Sequence, residues 1–131
     1  MRPRDTLYRL AKPNGEWNRI YSLARREGFG VIHPGWPTVV AVRAGRIVGF
    51  LTTHDRDDVI VAGPLVIEGG RNMLMFLRLG EAYENVLRIA GVNAYLLTVD
   101  KGNFQQAERV QVLGGRQIGV DATRLWFRRE I

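Results

Sequence analysis

No cysteine occurs among the 131 residues. That excludes a disulfide framework, a Cys-ligated zinc or iron–sulfur site, and a thiol nucleophile. Lysine is nearly missing as well: seventeen of the nineteen cations are arginine, and only Lys12 and Lys101 are lysine. Histidine is confined to His33 and His54, which share no metal-ligand spacing, so the sequence gives no support for a metal site. No stretch approaches the roughly 18 consecutive apolar residues that a transmembrane helix needs. The run Met1-Arg2-Pro3-Arg4-Asp5 is polar and lacks the apolar region of a signal peptide. These absences set the expectation of a soluble, cytoplasmic protein with no membrane partner.

What is present is globular. Apolar residues make up 46% and charged residues 24%, which supplies a core and argues against disorder. The length fits one domain over residues 1–131. A net charge of +6 and a pI near 10.5 point to an anionic partner: nucleic acid, an acidic protein or an anionic cofactor. Arginine suits forked contacts to phosphate or carboxylate, although a GC-rich genome also favours it. The cations are dispersed, with Arg25-Arg26 and Arg128-Arg129 the densest groups. That dispersal argues against a nucleic-acid track.

Residues 6–10 alternate weakly and predict a short strand, closed by Pro13-Asn14-Gly15. Trp17, Ile20, Tyr21 and Ala24 recur at helical spacing until Gly28 offers a stop. Residues 30–37, with two prolines and two glycines, read as an irregular loop. Residues 38–42 and 47–52 form a hairpin about Ala44-Gly45. A charged turn, Asp55-Arg56-Asp57-Asp58, leads to a strand over residues 59–67 that Gly63-Pro64 interrupts. Such a pair removes a ladder donor and marks a bulge or splayed edge.

The longest periodic stretch is residues 73–90, with Phe76, Leu79, Ala82, Tyr83, Val86, Leu87 and Ala90 on one face. Asn72 is its predicted N-cap and Gly91 its stop. Gly80 costs this helix about 1 kcal/mol relative to alanine, which a close packing contact would explain. Residues 95–99 are almost continuously apolar and predict a central strand. A shorter helix over residues 103–113 and two strands around 117–120 and 124–128 complete an α/β (α+β) order of β-α-β-β-β-α-β-α-β-β. An exposed last strand would offer an edge for a homodimer.

Over residues 17–127 this order and its local signals resemble the GNAT N-acetyltransferase superfamily. In that family a bulged strand ends in a loop, and the loop opens a long helix whose N-terminus receives the pyrophosphate of acetyl-CoA. Residues 59–67, 68–72 and 73–90 match those pieces. The family's next strand leads through an Asn-bearing loop into a helix closed by Gly-Phe. Residues 95–99, Asn103 and Gly114 match it, with the usual eleven-residue spacing from Asn to Gly. The resemblance implies a mixed, mostly antiparallel sheet with helices on both faces, and acetyl-CoA or another acyl-CoA as co-substrate. It places cofactor contacts at Leu65, Val66, Ile67, Gly69, Gly70, Arg71, Asn72, Met73 and Asn103, with backbone N–H around residues 65–67 holding the thioester oxygen. Helix N-termini suit phosphate because their N–H groups are unpaired and their dipole end is positive. Gly69-Gly70 permits close approach of backbone, and Arg71 adds a charge-assisted contact.

The chain departs from the family's pattern at four positions. Leu74 and Phe76 stand at the two glycine positions of the phosphate loop, where bulk would keep backbone from the pyrophosphate. Val110 stands at the general-acid Tyr, and Gly115 at the Phe after the helix-ending Gly. Small phage-encoded GNAT-like proteins carry such degenerate loops, and the chain is similar to them in general character.

Acyl transfer to an amine needs a base for the ammonium proton and a proton for the departing thiolate. It needs no covalent intermediate, so the missing Cys is no obstacle. Candidate catalytic groups are His54, Asp55, Asp58 and Glu68. An imidazole titrates nearest neutrality, yet a histidine beside an acidic turn is more often simply solvated, and a loop carboxylate like Glu68 more often a cap. His33 and Trp36 lie where the family reads its acceptor substrate. Trp36 lines a pocket or caps the core, the second being the commoner outcome. Met73-Leu74-Met75-Phe76 reads chiefly as core, although its residues could wall a slot; Asn103 is a cofactor contact, a helix cap, or both. Three readings follow. The first is an acyl-CoA-dependent N-acyltransferase acting on an amine-bearing small molecule or protein. The others are a catalytically degenerate protein of the same fold that binds a host or virion protein, and a basic nucleic-acid-binding module.

Overall fold

The computed structural model describes residues 5–13, 15–56, 59–70 and 72–131. Its elements are β1 (Thr6–Leu10), α1 (Glu16–Arg26), β2 (Gly35–Arg43), β3 (Arg46–Arg56), β4 (Val59–Ile67), α2 (Met73–Ile89), β5 (Ala94–Asp100), α3 (Phe104–Val112), β6 (Gly115–Val120) and β7 (Arg124–Glu130). The order is the predicted one. Seven strands form one sheet in the order β1-β2-β3-β4-β5-β7-β6. Among the described residues only β4 and β5 pair in parallel.

Two boundaries differ from expectation by more than two residues, and one strand differs in its place in the sheet. Strand β2 starts at Gly35, inside the predicted loop, because the backbone there pairs with Thr53. Strand β3 runs to Arg56 and takes in half of the predicted charged turn. The last strand, β7, lies between β5 and β6 and pairs on both sides, so it offers no edge for a dimer; the edges are β1 and β6.

Strand alternation sends residues to two cores. Val40, Phe50 and Val66 meet Ile20, Leu23 and Ala24 of α1 on one face. Val39, Ala41, Leu51 and Ile67 meet α2 on the other. Met75, Leu79, Tyr83 and Leu87, four residues apart, are the buried stripe of α2. Ala90, expected on that face, is exposed. A Cβ on Gly49 would lie 2.9 Å from the Met75 sulfur and 3.2 Å from the Val66 carbonyl oxygen, so this glycine lets α2 sit close against β3. A Cβ on Gly80 would meet nothing within 4 Å. The expected packing reason for Gly80 is therefore absent.

Helix α3 lies on the same face as α2. Val110 and Ala107 meet Leu97 and Val99 of β5 with Leu125 and Phe127 of β7, while Tyr95, two residues before Leu97, joins the α2 core. Glu84 on α2 fastens the two halves of the sheet together. It accepts from the Tyr95 hydroxyl at 2.6 Å and from Arg129 Nε at 2.9 Å. Burial, and then the Glu84 carboxylate, push the Tyr95 phenol far above its ordinary value. The Tyr83 phenol, 2.6 Å from the Thr53 hydroxyl, is pushed up to about 12 by burial.

Candidate functional site

The parallel pairing of β4 with β5 is short. It holds at Val61–Leu96 and Ala62–Leu97 and then stops. On its other side β4 continues against β3, but two residues, Gly63 and Pro64, stand opposite the single Thr52 between the Leu51–Leu65 and Thr53–Ala62 pairs, one more than the ladder needs. Gly63 has φ +133°, which L side chains rarely adopt. This bulge ends the ladder and turns the rest of β4 away from β5. Backbone groups of residues 63–67 on the β5 side are left without a strand partner, as the Gly-Pro signal predicts. Leu65, Val66 and Ile67 border this gap; Val66 and Ile67 anchor the strand in the two cores.

On the α2 face, a cleft of about 400 Å³ separates α2 from α3, the helices that follow β4 and β5. Met73, Phe76 and Leu77 form one wall, and Val112 and Leu113 the other, with Gln105, Glu108 and Arg109 as polar groups. The four residues 73–76 therefore divide their roles. Met75 is core, Met73 and Phe76 wall the cleft, and Leu74 is 60% exposed. The sequence reading missed Arg109, Gln105 and Glu108. Their i, i+3, i+4 spacing on α3 places them on one face and was the available signal.

At the start of α2, Asn72 Oδ1 accepts from Met75 N at 3.0 Å, and the Asn72 carbonyl accepts from Phe76 N at 2.9 Å. The Asn72 cap is thus as expected. The loop glycines are already engaged: Gly70 N donates to the Ile67 carbonyl at 2.9 Å and Gly69 N to Glu27 Oε2 at 3.3 Å. Asn103 caps α3 by accepting from Gln106 N at 3.2 Å. Val110 is buried against β5 and β7, so its place is in the core rather than at the gap.

The remaining candidates scatter. His54 is exposed on β3 opposite Val61, the residue that β4 also pairs with Leu96. Asp55 pairs with Ile60 in the same register; Asp58 and Arg71 lie outside the described residues. Glu68 is held by the guanidinium groups of Arg46 and, at 3.0 Å, Arg19. The Arg46 hydrogen bond is the main cause that keeps its carboxyl below the usual range, which weakens it as a base. A second cavity of about 320 Å³ adjoins this ion pair, between Arg43, Arg46 and the Asn72 end of α2. His33 is exposed in the α1–β2 connection. Trp36 is 55% exposed at the start of β2, so it does not cap the core. Among the described residues, no group of three or more His, Asp or Glu gathers where it could hold a metal ion. No helix there is long and apolar enough to cross a membrane.

No protein-family model matches the sequence, and no curated protein matches it. Solved structures do match. The ribosomal-protein-S18-alanine N-acetyltransferase from Escherichia coli superposes with a TM-score of 0.80 at 12% identity, over 97% of this chain and 94% of its own. An aminoglycoside 6'-acetyltransferase type Ii gives 0.78 at 19% identity, over 95% and 96%. An acetyltransferase of the GNAT family from Streptococcus pneumoniae gives 0.71 at 17% identity, over 97% and 100%.

Proposed function

We propose that this chain, which has the fold of the GNAT N-acetyltransferases, is an N-acyltransferase that moves an acetyl or longer acyl group from acyl-CoA to an amine. The observation that carries the reading is the bulge at Gly63-Pro64, where the β4–β5 ladder ends, together with a mostly apolar cleft between the two helices that follow those strands. A thioester with a pantetheine arm needs both features: apolar walls for its carbons and unpaired backbone groups for its amides. Met73, Phe76, Leu77, Val112 and Leu113 supply the walls. Among the described residues, Arg109 is the arginine that lines the cleft, suited to a phosphate oxygen. The N–H groups of Leu65 and Ile67, which alternation turns away from β3, are the donors for the thioester oxygen, while Val66 donates toward β3.

The chemistry is direct. The amine nitrogen bonds to the thioester carbon, the C–S bond breaks, and the sulfur leaves as thiolate. His54 takes the ammonium proton, through a water where the amine lies one strand away. With Val110 in the position of the family's acid, water protonates the thiolate. Glu68 has no part in the step, because its charge is spent on Arg46 and Arg19.

Amine-dependent release of free thiol from acetyl-CoA tests the reading. Transfer to a mixed amine pool is expected, with a loss of about 100-fold or more in kcat for His54→Gln and unchanged acetyl-CoA binding. No turnover with any amine, alongside tight acetyl-CoA binding, would favour the second reading, a non-catalytic protein of this fold. The buried Val110 is the feature that favours it.

A further inference from the structure

The two faces of β5, β7 and β6 differ. Leu125 and Phe127 point to α3, so alternation puts Arg124, Trp126, Arg128 and Glu130 on the other face. Register adds Leu96, Thr98 and Asp100 from β5 and Arg116 from β6, since facing partners share a face. The helix on that side, α1, has its core contacts on β2, β3 and β4. None of these face residues is buried: Arg116, Arg124 and Arg128 are exposed, and Leu96, Thr98 and Trp126 are half-buried.

Arg116 and Arg128 stand directly opposite one another across β6 and β7. Like charges so placed, about 5 Å apart at Cβ, are destabilising. Among the described residues Arg116 has no carboxylate partner, Arg128 reaches Glu130 at 3.6 Å, and Arg124 lies 3.9 Å from Asp100 and also feels the Asp121 carboxylate. Exposed pairs at such distances contribute little and leave the guanidinium groups available.

We propose that this open face reads the acceptor, and that the acceptor is an acidic polypeptide segment with its amine at the β4–β5 gap. The inference rests on the acyltransferase reading: with the cleft on the α2 face given to acyl-CoA, an amine must reach the gap from the opposite face, beside Leu96 and Thr98. From Arg124 to Arg128 the strand spans about 14 Å. That suits carboxylates spread along an extended chain better than one compact anion. Asp100 and Glu130 interrupt the cationic row at its two ends, which disfavours the uninterrupted phosphates of a nucleic acid and suits a chain carrying an ammonium among its carboxylates.

The test is fluorescence anisotropy with decapeptides labelled at the C-terminus: one Asp/Glu-rich, one Gly/Ser-rich and one Lys-rich, each with a free N-terminal amine, and a ten-nucleotide thymidine strand. The acidic peptide is expected to bind at least tenfold more tightly than the neutral one. Arg128→Glu should abolish that preference, while Arg78→Glu, the same charge change on α2, should leave it within twofold. Equal affinity for acidic and neutral peptides, equal losses in both variants, or tighter binding of the oligonucleotide would each overturn the proposal. Thermal stabilisation by acetyl-CoA is measured in parallel. If it persists without a peptide preference, the inference alone fails. If it is absent while Arg128-dependent peptide binding remains, the acyltransferase reading fails and the face stands as a binding surface.

Discussion

The two halves of the sheet are built to different standards. Strands β2, β3 and β4 are covered on both faces, with eight buried side chains among the described residues in each of two cores. Strands β5, β7 and β6 are covered on one face only, over a core of three buried side chains. The halves meet through two paired positions between β4 and β5, through Glu84, and through Tyr95, whose ring stands edge-on to Tyr83 in the α2 core. The thick half is a scaffold that fixes the bulge and the start of α2. The thin half has surface to spare, and it carries the features that recognition would use: one wall of the cleft, the half-buried Trp126 and the arginine row. A seam with so little pairing is also where a ligand can enter without breaking a ladder.

The contrast predicts effects of graded size. Leu79→Ala, a truncation in the thick half at a fully buried site, should lower stability by about 2–5 kcal/mol. Val110→Ala, its counterpart in the thin half, should cost about 2 kcal/mol or less. Equal losses by chemical denaturation would erase the distinction. Arg109→Ala lies outside both cores and should leave the melting temperature unchanged, while acetyl-CoA affinity falls by about 1–3 kcal/mol; calorimetric titration measures it. Gly80→Ala should stabilise by up to about 1 kcal/mol, since helix propensity rises and nothing crowds the added methyl. A loss instead would reveal a partner for that face of α2.

The smallest effect concerns the hairpin of the thin half. Asp121 accepts from the Trp126 indole at 2.8 Å and from the backbone of Thr123 and Arg124. These bonds, the indole first, hold its carboxyl down at about 2, against an ordinary 3.8. A depressed carboxyl stabilises the fold above its unfolded value. That contribution is complete above about pH 4 and fades as pH falls toward 2. Asp121→Asn should flatten this part of the acid unfolding curve: the variant is modestly less stable than the native chain at neutral pH, and the difference vanishes toward pH 2.

Much of this was legible in the sequence, because the controlling signals are local. Helical spacing over Leu79, Tyr83 and Leu87 found α2, and the Gly63-Pro64 pair found the bulge that ends the β4–β5 ladder. Asn72 and Asn103 were readable as caps from their positions before periodic runs. What stayed hidden depends on distant segments. The partners of Glu68 are Arg19 and Arg46, 49 and 22 residues away, so a loop carboxylate resembled a free base. The cleft is shared by Phe76 and Arg109, on helices separated by β5, and neither helix reveals it alone. The interior place of β7 follows from sheet order, which alternation within a strand does not encode. Trp36 was misjudged because an aromatic in a Pro-rich segment favours burial on average, whereas here β2 begins around it and leaves the ring outside.

The central claim is that the cleft between α2 and α3 and the gap where the β4–β5 ladder ends form a working acyl-CoA site despite Leu74 and Phe76. Thermal unfolding titrated with acetyl-CoA, with ATP as the control nucleotide, tests it most directly. The account predicts saturable stabilisation, about 2.7 kcal/mol at a hundredfold excess over Kd, specific to acetyl-CoA and reduced by Arg109→Ala. No stabilisation at millimolar acetyl-CoA, or an equal shift with ATP, would contradict it.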